Sequence, residues 1–259
     1  MRMMKKVLGT VTVLALSVSL LAGCGSTAAS PVSSAASTAA ESTTSSVVSE
    51  TTSAAADENV AAAAQLLNDL TGSYQELWPV ILADEYQQTW LDDCTALVGE
   101  ENAEAAFEKL SSMVTGDVYG EDAVEAYANG GGAYFCGFTN SLATLTFDGE
   151  TSTISGTDKD GNVLFSHTYH YIGMEPVRGL YEFESDDADS GEFTYFFLAP
   201  DTSAETYHIE FRYGSDAEAL SQYDAGEYAY WLASGISTDC DQTMIDNCIE
   251  LFCTENLAG

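Results

Sequence analysis

The sequence holds 259 residues, with 7 Lys and Arg against 41 Asp and Glu, for a formal net charge of −34. A surface so short of cations cannot neutralise phosphates, which argues against nucleic-acid binding. It suits a domain kept soluble by its charge, or one that gathers cations.

Arg2, Lys5 and Lys6 open the chain, and Val7 to Leu21 follows as an apolar run. That run is short for a membrane span of ~20 residues and has the length of a signal-peptide core. Leu21-Ala22-Gly23-Cys24 then resembles the lipobox of bacterial lipoproteins, in which the cysteine thiol is lipidated and becomes the new N-terminus. The resemblance implies a signal peptide at 1–23 and a lipid, palmitate included, on Cys24. The protein would then sit outside the cytoplasm, anchored to the cell membrane. Residues 25–56 are nearly all Ser, Thr and Ala. Such a tract buries too little apolar surface to offset its ordering entropy, so a disordered tether is expected at 24–56. As a flexible coil it would average ~30 Å end to end.

Roughly 200 residues remain from Asp57, enough for one domain with its own core, 57–259. Val60, Leu66, Leu67 and Leu70 are spaced as one face of a helix that Thr71-Gly72 closes. Tyr74, Leu77, Trp78, Ile81 and Leu82 form a second apolar face, with a kink or a helix start near Pro79. Ala106, Phe107, Leu110 and Val114 predict a third helix over 101–114. Asn129-Gly130-Gly131-Gly132 then breaks the chain.

After the glycines the apolar period becomes 2. Leu142 to Phe147, Thr151 to Gly156, Val163 to Ile172, Gly179 to Glu184, Phe193 to Leu198 and Thr206 to Tyr213 read as strands. Lys159-Asp160-Gly161-Asn162 marks a hairpin turn. Regular spacing predicts an antiparallel meander or barrel. Ser215 to Gln222 reads as a short helix. Thr238 to Phe252 reads as a closing helix capped by Ser237 or Thr238, with Asp239 and Asp241 at its positive end.

Three segments resemble the ZinT-type family of domains. Residues 67–79, Leu-Asn-Asp-Leu-Thr-Gly-Ser-Tyr-Gln-Glu-Leu-Trp-Pro, are similar to the family's opening stretch. Val177 to Glu184 resembles its Gly-Val-Arg-Tyr-Leu-Phe-Glu strand, and Ser190 to Tyr195 its Ala-Gly-Glu-Phe-Lys-Tyr. The resemblance implies an α+β, mainly antiparallel fold: a calycin- or lipocalin-like barrel with flanking N- and C-terminal helices. It also implies zinc binding outside the cytoplasm and a link to zinc uptake. A metal ABC transporter's binding protein is then the expected partner, beside the membrane itself.

The family's metal site is altered here. Aligned back from Gly214-Ser215-Asp216, its His-x-His falls on His208-Ile209-Glu210. Its first histidine, counted forward from Tyr195 with a loop two residues shorter, falls on Asp201. The resemblance therefore names Asp201, His208 and Glu210 as the metal ligands. Residues i and i+2 of a strand share a face, so His208 and Glu210 can address one ion. Zinc accepts both donor types, while the extra carboxylates favour manganese or calcium more than three imidazoles would. The alternative is that His208 and Glu210 merely line a polar barrel mouth. His167 and His170 are three apart on a presumed strand and should face opposite sides.

With Cys24 taken by lipid, Cys94, Cys136, Cys240, Cys248 and Cys253 remain, an odd number that allows two disulfides at most. Cys248 and Cys253 do not stack on one helix face, so a direct bridge between them is strained. No HExxH, GxSxG or phosphate-binding glycine loop occurs, so no enzymatic activity is expected. Two readings follow. One is an extracytoplasmic lipoprotein binding a divalent metal. The other is a calycin-like module without metal that binds a small molecule or a partner protein.

Overall fold

The computed structural model of the chain describes residues 47–199 and 208–258. The expected signal peptide at 1–23, Cys24, residues 25–46 of the expected tether, Asp201 and Tyr207 lie outside them.

The chain enters through α1 (Val47–Asp69), whose first turns overlap the stretch expected to be tether. Leu66, Leu67 and Leu70 are buried, as the helical spacing predicts. At Gly72 the backbone turns into β1 (Gly72–Glu76), which passes straight into the short α2 (Leu77–Ile81). The second apolar face is thus part strand and part helix. Pro79 sits in the first turn of α2, where its missing N–H has no intrahelical acceptor to lose. Next come α3 (Gln87–Val98), α4 (Ala103–Ser112) and α5 (Glu121–Ala128).

Seven further strands follow: β2 (Thr144–Asp148), β3 (Thr153–Thr157), β4 (Val163–Met174), β5 (Tyr181–Ser185), β6 (Tyr195–Leu198), β7 (His208–Gly214) and β8 (Ala233–Ser237). The short α6 (Ala217–Leu220) interrupts them after β7, and α7 (Gln242–Leu257) ends the described chain. Each strand pairs antiparallel with the next, and β1 pairs with β8 to close an eight-stranded barrel. Closure satisfies both sheet edges, which an open meander would leave exposed. The closing register sets Tyr74 opposite Ser237 and Gln75 opposite Ile236.

Local chemistry explains the turns. Asp158 accepts hydrogen bonds from the backbone N–H groups of Asp160 and Asn162 and from the Asn162 amide, each at 2.9 Å. Gly161 then takes a φ of 80°, which a side chain would resist. At the β2–β3 turn the need for glycine is different. A Cβ on Gly149 would stand 2.4 Å from Asn68 Cα and 2.6 Å from the Leu67 carbonyl oxygen. The end of α1 therefore presses directly on that turn, and the apolar side chains of α1 join the barrel core. The cap of α7 also differs from expectation. Asp241 is the cap, accepting from the Met244 N–H at 3.0 Å, while Thr238 is drawn away to donate to the Ser73 carbonyl.

Two cores result. The barrel interior is filled with rings, including Phe147, Phe183, Phe196, Phe211 and Tyr213. Outside the wall, Leu77, Trp78, Trp90, Leu110, Ile236, Ile245 and Ile249 join α2, α3, α4 and α7 into a helical layer. Ile236 belongs to β8 yet to this second core, so the layer covers the outer face of that strand. Among the described residues no helix is long and apolar enough to cross a membrane.

Candidate metal centre

The alternation of β7 decides where its polar residues point. Ile209, Phe211 and Tyr213 enter the barrel core. His208, Glu210 and Arg212 therefore take the opposite face. Register places His208 across from Ile236 and Glu210 across from Ser234 on β8. The face is thus the outer wall, continuous with the helical layer, and both His208 and Glu210 are half-buried there. Two of the three residues named from the sequence share one face at adjacent positions. Asp201 lies outside the described residues. Among the described residues, no group of three or more His, Cys, Asp and Glu side chains is placed to hold a metal ion.

The surroundings of the pair carry charge of both signs. The Cys136 thiol is pushed up to about 12, first by burial and next by the Glu210 carboxylate beside it. Arg212 is wholly buried and donates to the carbonyls of Leu220, Gln222 and Tyr228. Its guanidinium carbon lies 4.4 Å from the Tyr223 ring centroid, and that of Arg178 lies 4.4 Å from the same ring. Burial lowers the Arg212 pKa from its ordinary value. Glu175, also buried, accepts from the Val177 and Arg178 N–H groups at 2.7 and 2.6 Å and so fixes the turn that presents Arg178. Arg212 is two residues from Glu210 on the same face. A cation beside Glu210 would feel that positive charge, which weakens its binding by ordinary Coulomb repulsion.

The remaining histidines separate as their spacing predicts. His167 shares a face with Phe165 and Tyr169, stacks near Phe165 and meets Asp187 through Nδ1 at 2.9 Å. His170, on the other face, meets Asp186 through Nδ1 at 2.8 Å and lies 3.9 Å from Glu184. They do not converge with each other.

A cleft of about 320 Å³ is lined by Glu76, Trp78, Pro79, Leu82, Val114 and Cys136 among others. Glu76 accepts from the Phe138 N–H at 2.6 Å, which fixes its carboxylate at the rim. The lining comes from β1, α2 and two loops far apart in sequence. No local motif marks it, and the sequence alone did not single it out. The lumen itself is occupied by stacked rings, with Phe165 and Phe193 at 4.0 Å and Phe196 and Tyr213 at 5.4 Å between centroids.

No family model matches the chain, and no curated protein does. Among solved structures, the chain is similar to the Zn(II)-bound ZinT-like domain of AdcA from Streptococcus pneumoniae. That similarity has 16% identity and a TM-score of 0.45, over 71% of this chain and 89% of that one. Zn(II)-bound AdcA from the same organism is similar at 14% identity and a TM-score of 0.43, over 72% of this chain. The chain spans about a third of that longer protein, 35% of its length.

Proposed function

We propose that this protein binds a divalent metal ion, zinc before manganese or calcium, as an extracytoplasmic lipoprotein anchored through Cys24. The observation that carries the reading is the shared outer face of β7, where His208 and Glu210 stand at i and i+2. These are the positions that the ZinT-type motifs assign to ligands. Asp201 would complete the set, with water filling the remaining position of a four-coordinate ion. A closed barrel supports such a site because its strand register holds the two donors at fixed spacing. The role is binding, with metal as cargo for an uptake system and a transporter's binding protein as the partner.

Elemental analysis of the purified protein after dialysis against metal-free buffer tests the first part. A specific site retains close to one zinc per chain at moderate salt. Diffuse binding by surface carboxylates gives a variable excess that salt strips away, since exposed charges are screened. Cell fractionation tests the anchor. Cys24→Ser should move the protein from the membrane fraction to the soluble one, and a variant that stays membrane-bound after a high-salt wash contradicts lipidation.

A second reading is favoured by the cleft beside Glu76 and Trp78. At about 320 Å³ it is within the size range of small-ligand sites. A metal-free protein that binds a small molecule there, or a partner protein over it, would show no retained zinc in the same analysis.

A further inference from the structure

The helical layer places two thiols together. Cys94 on α3 and Cys253 on α7 have their sulfurs 3.9 Å apart, although 159 residues separate them in the chain. Both are wholly buried in the second core, where α3 packs on α7. A disulfide needs an S–S distance of about 2.0 Å, so each sulfur has to move by only about 1 Å. A modest χ1 rotation on either side supplies that movement without separating the helices. The geometry points to Cys94 and Cys253 as a disulfide pair that staples α3 to α7 when the protein folds under oxidising conditions. This inference does not rest on the metal reading.

The other three cysteines are placed differently. Cys136 is buried beside Trp78, Ser234 and Glu210. Cys248 and Cys253 share α7 but are five residues apart, about 140° around the axis, so they project in different directions. Cys240 precedes α7, is partly exposed, unlike the other four, and lies close enough to Cys248 to raise that thiol's pKa beside the effect of burial.

The chemistry is ordinary thiol–disulfide exchange with a small-molecule disulfide such as oxidised glutathione. One protein thiolate attacks a sulfur of the reagent, breaking its S–S bond and releasing one glutathione thiol. The second protein thiolate then attacks the mixed disulfide, forming the Cys94–Cys253 bond and releasing the second glutathione thiol. Two protein thiols are oxidised, one reagent disulfide is reduced to two thiols, and the two protons leave with them. Burial raises the pKa of both Cys94 and Cys253 in the folded state. Thiolates are the reacting species, so the exchange is slow once α3 and α7 have packed and fast while they are still open.

The test uses the full chain with Cys24→Ser, reduced in denaturant and refolded in a glutathione redox buffer. Free thiols are then alkylated with iodoacetamide under denaturing conditions without reduction, and the digest is mapped by mass spectrometry. The expected map has a cross-linked pair joining the peptides of Cys94 and Cys253. Reduction should lower Tm by roughly 10 °C, because the bridge closes a loop of well over a hundred residues. Alkylation of both Cys94 and Cys253, or a bridge from either to another cysteine, overturns the assignment. The mapping needs no further variant, so a misfolded mutant cannot obscure it.

Discussion

Arg212, wholly buried, and Asp93, half-buried, show how an acidic chain handles charge away from open water. Only four basic residues follow Cys24 in the sequence, and Arg178 and Arg212 spend two of them on one tyrosine ring. Arg212 is affordable when buried because carbonyls from the 220–228 loop take up its N–H groups. Asp93 has no such partner among the described contacts. Its pKa is raised, first by desolvation and then by Glu250 and Asp246 on α7 and by Asp92 beside it. A carboxyl whose folded pKa lies above its unfolded value weakens the fold once ionised. The penalty is fully present above the folded pKa and disappears as pH falls below the ordinary value. Asp93→Asn should therefore raise Tm at pH 7 and leave it unchanged near pH ~3, below both values. Thermal melts at the two pH values check this, and an equal gain at both would assign the effect to something other than charge.

Among the elements, those with a strong period were legible in the sequence and those without one were not. Most of the strands from β2 to β7 alternate apolar and polar residues, β6 being a short apolar run instead, and each was anticipated within a few residues. β1 was hidden because Gly72 to Glu76 contains one buried apolar residue, Tyr74, and its neighbours Leu77 and Trp78 belong to a helix. β8 was hidden because Ala-Ser-Gly-Ile-Ser carries almost no alternation. Gly235 accommodates Ile209 at close range, with an added Cβ 3.0 Å from Ile209 Cγ1, and Ile236 points into the helical layer. A strand covered on both faces reads as neither pattern. α3 was missed for a related reason. Only Trp90 and Cys94 are buried along its twelve residues, too few to set a helical period. The two strands missed are the two that close the barrel, so closure was visible only in three dimensions.

At the scale of the whole molecule, the barrel is a rigid frame with a ring-filled interior and a single helical layer over part of its wall. The candidate site was half legible. The i, i+2 rule placed His208 and Glu210 on one face, and the structure has them there. Which face it would be depended on Ile209, Phe211 and Tyr213 filling the lumen, and that followed from packing rather than from the motif. The nearby Arg212 and Cys136 reach the site through β7 and a distant loop, so spacing gave no sign of them. The central claim is that a metal ion is held by named residues on the outer face of β7. Calorimetric titration of zinc at moderate ionic strength into wild type and His208→Ala tests it most directly. The account predicts one zinc per wild-type chain and an affinity at least tenfold lower in the variant, or about 1.4 kcal/mol of binding free energy. Equal stoichiometry and equal affinity in the two proteins would contradict it.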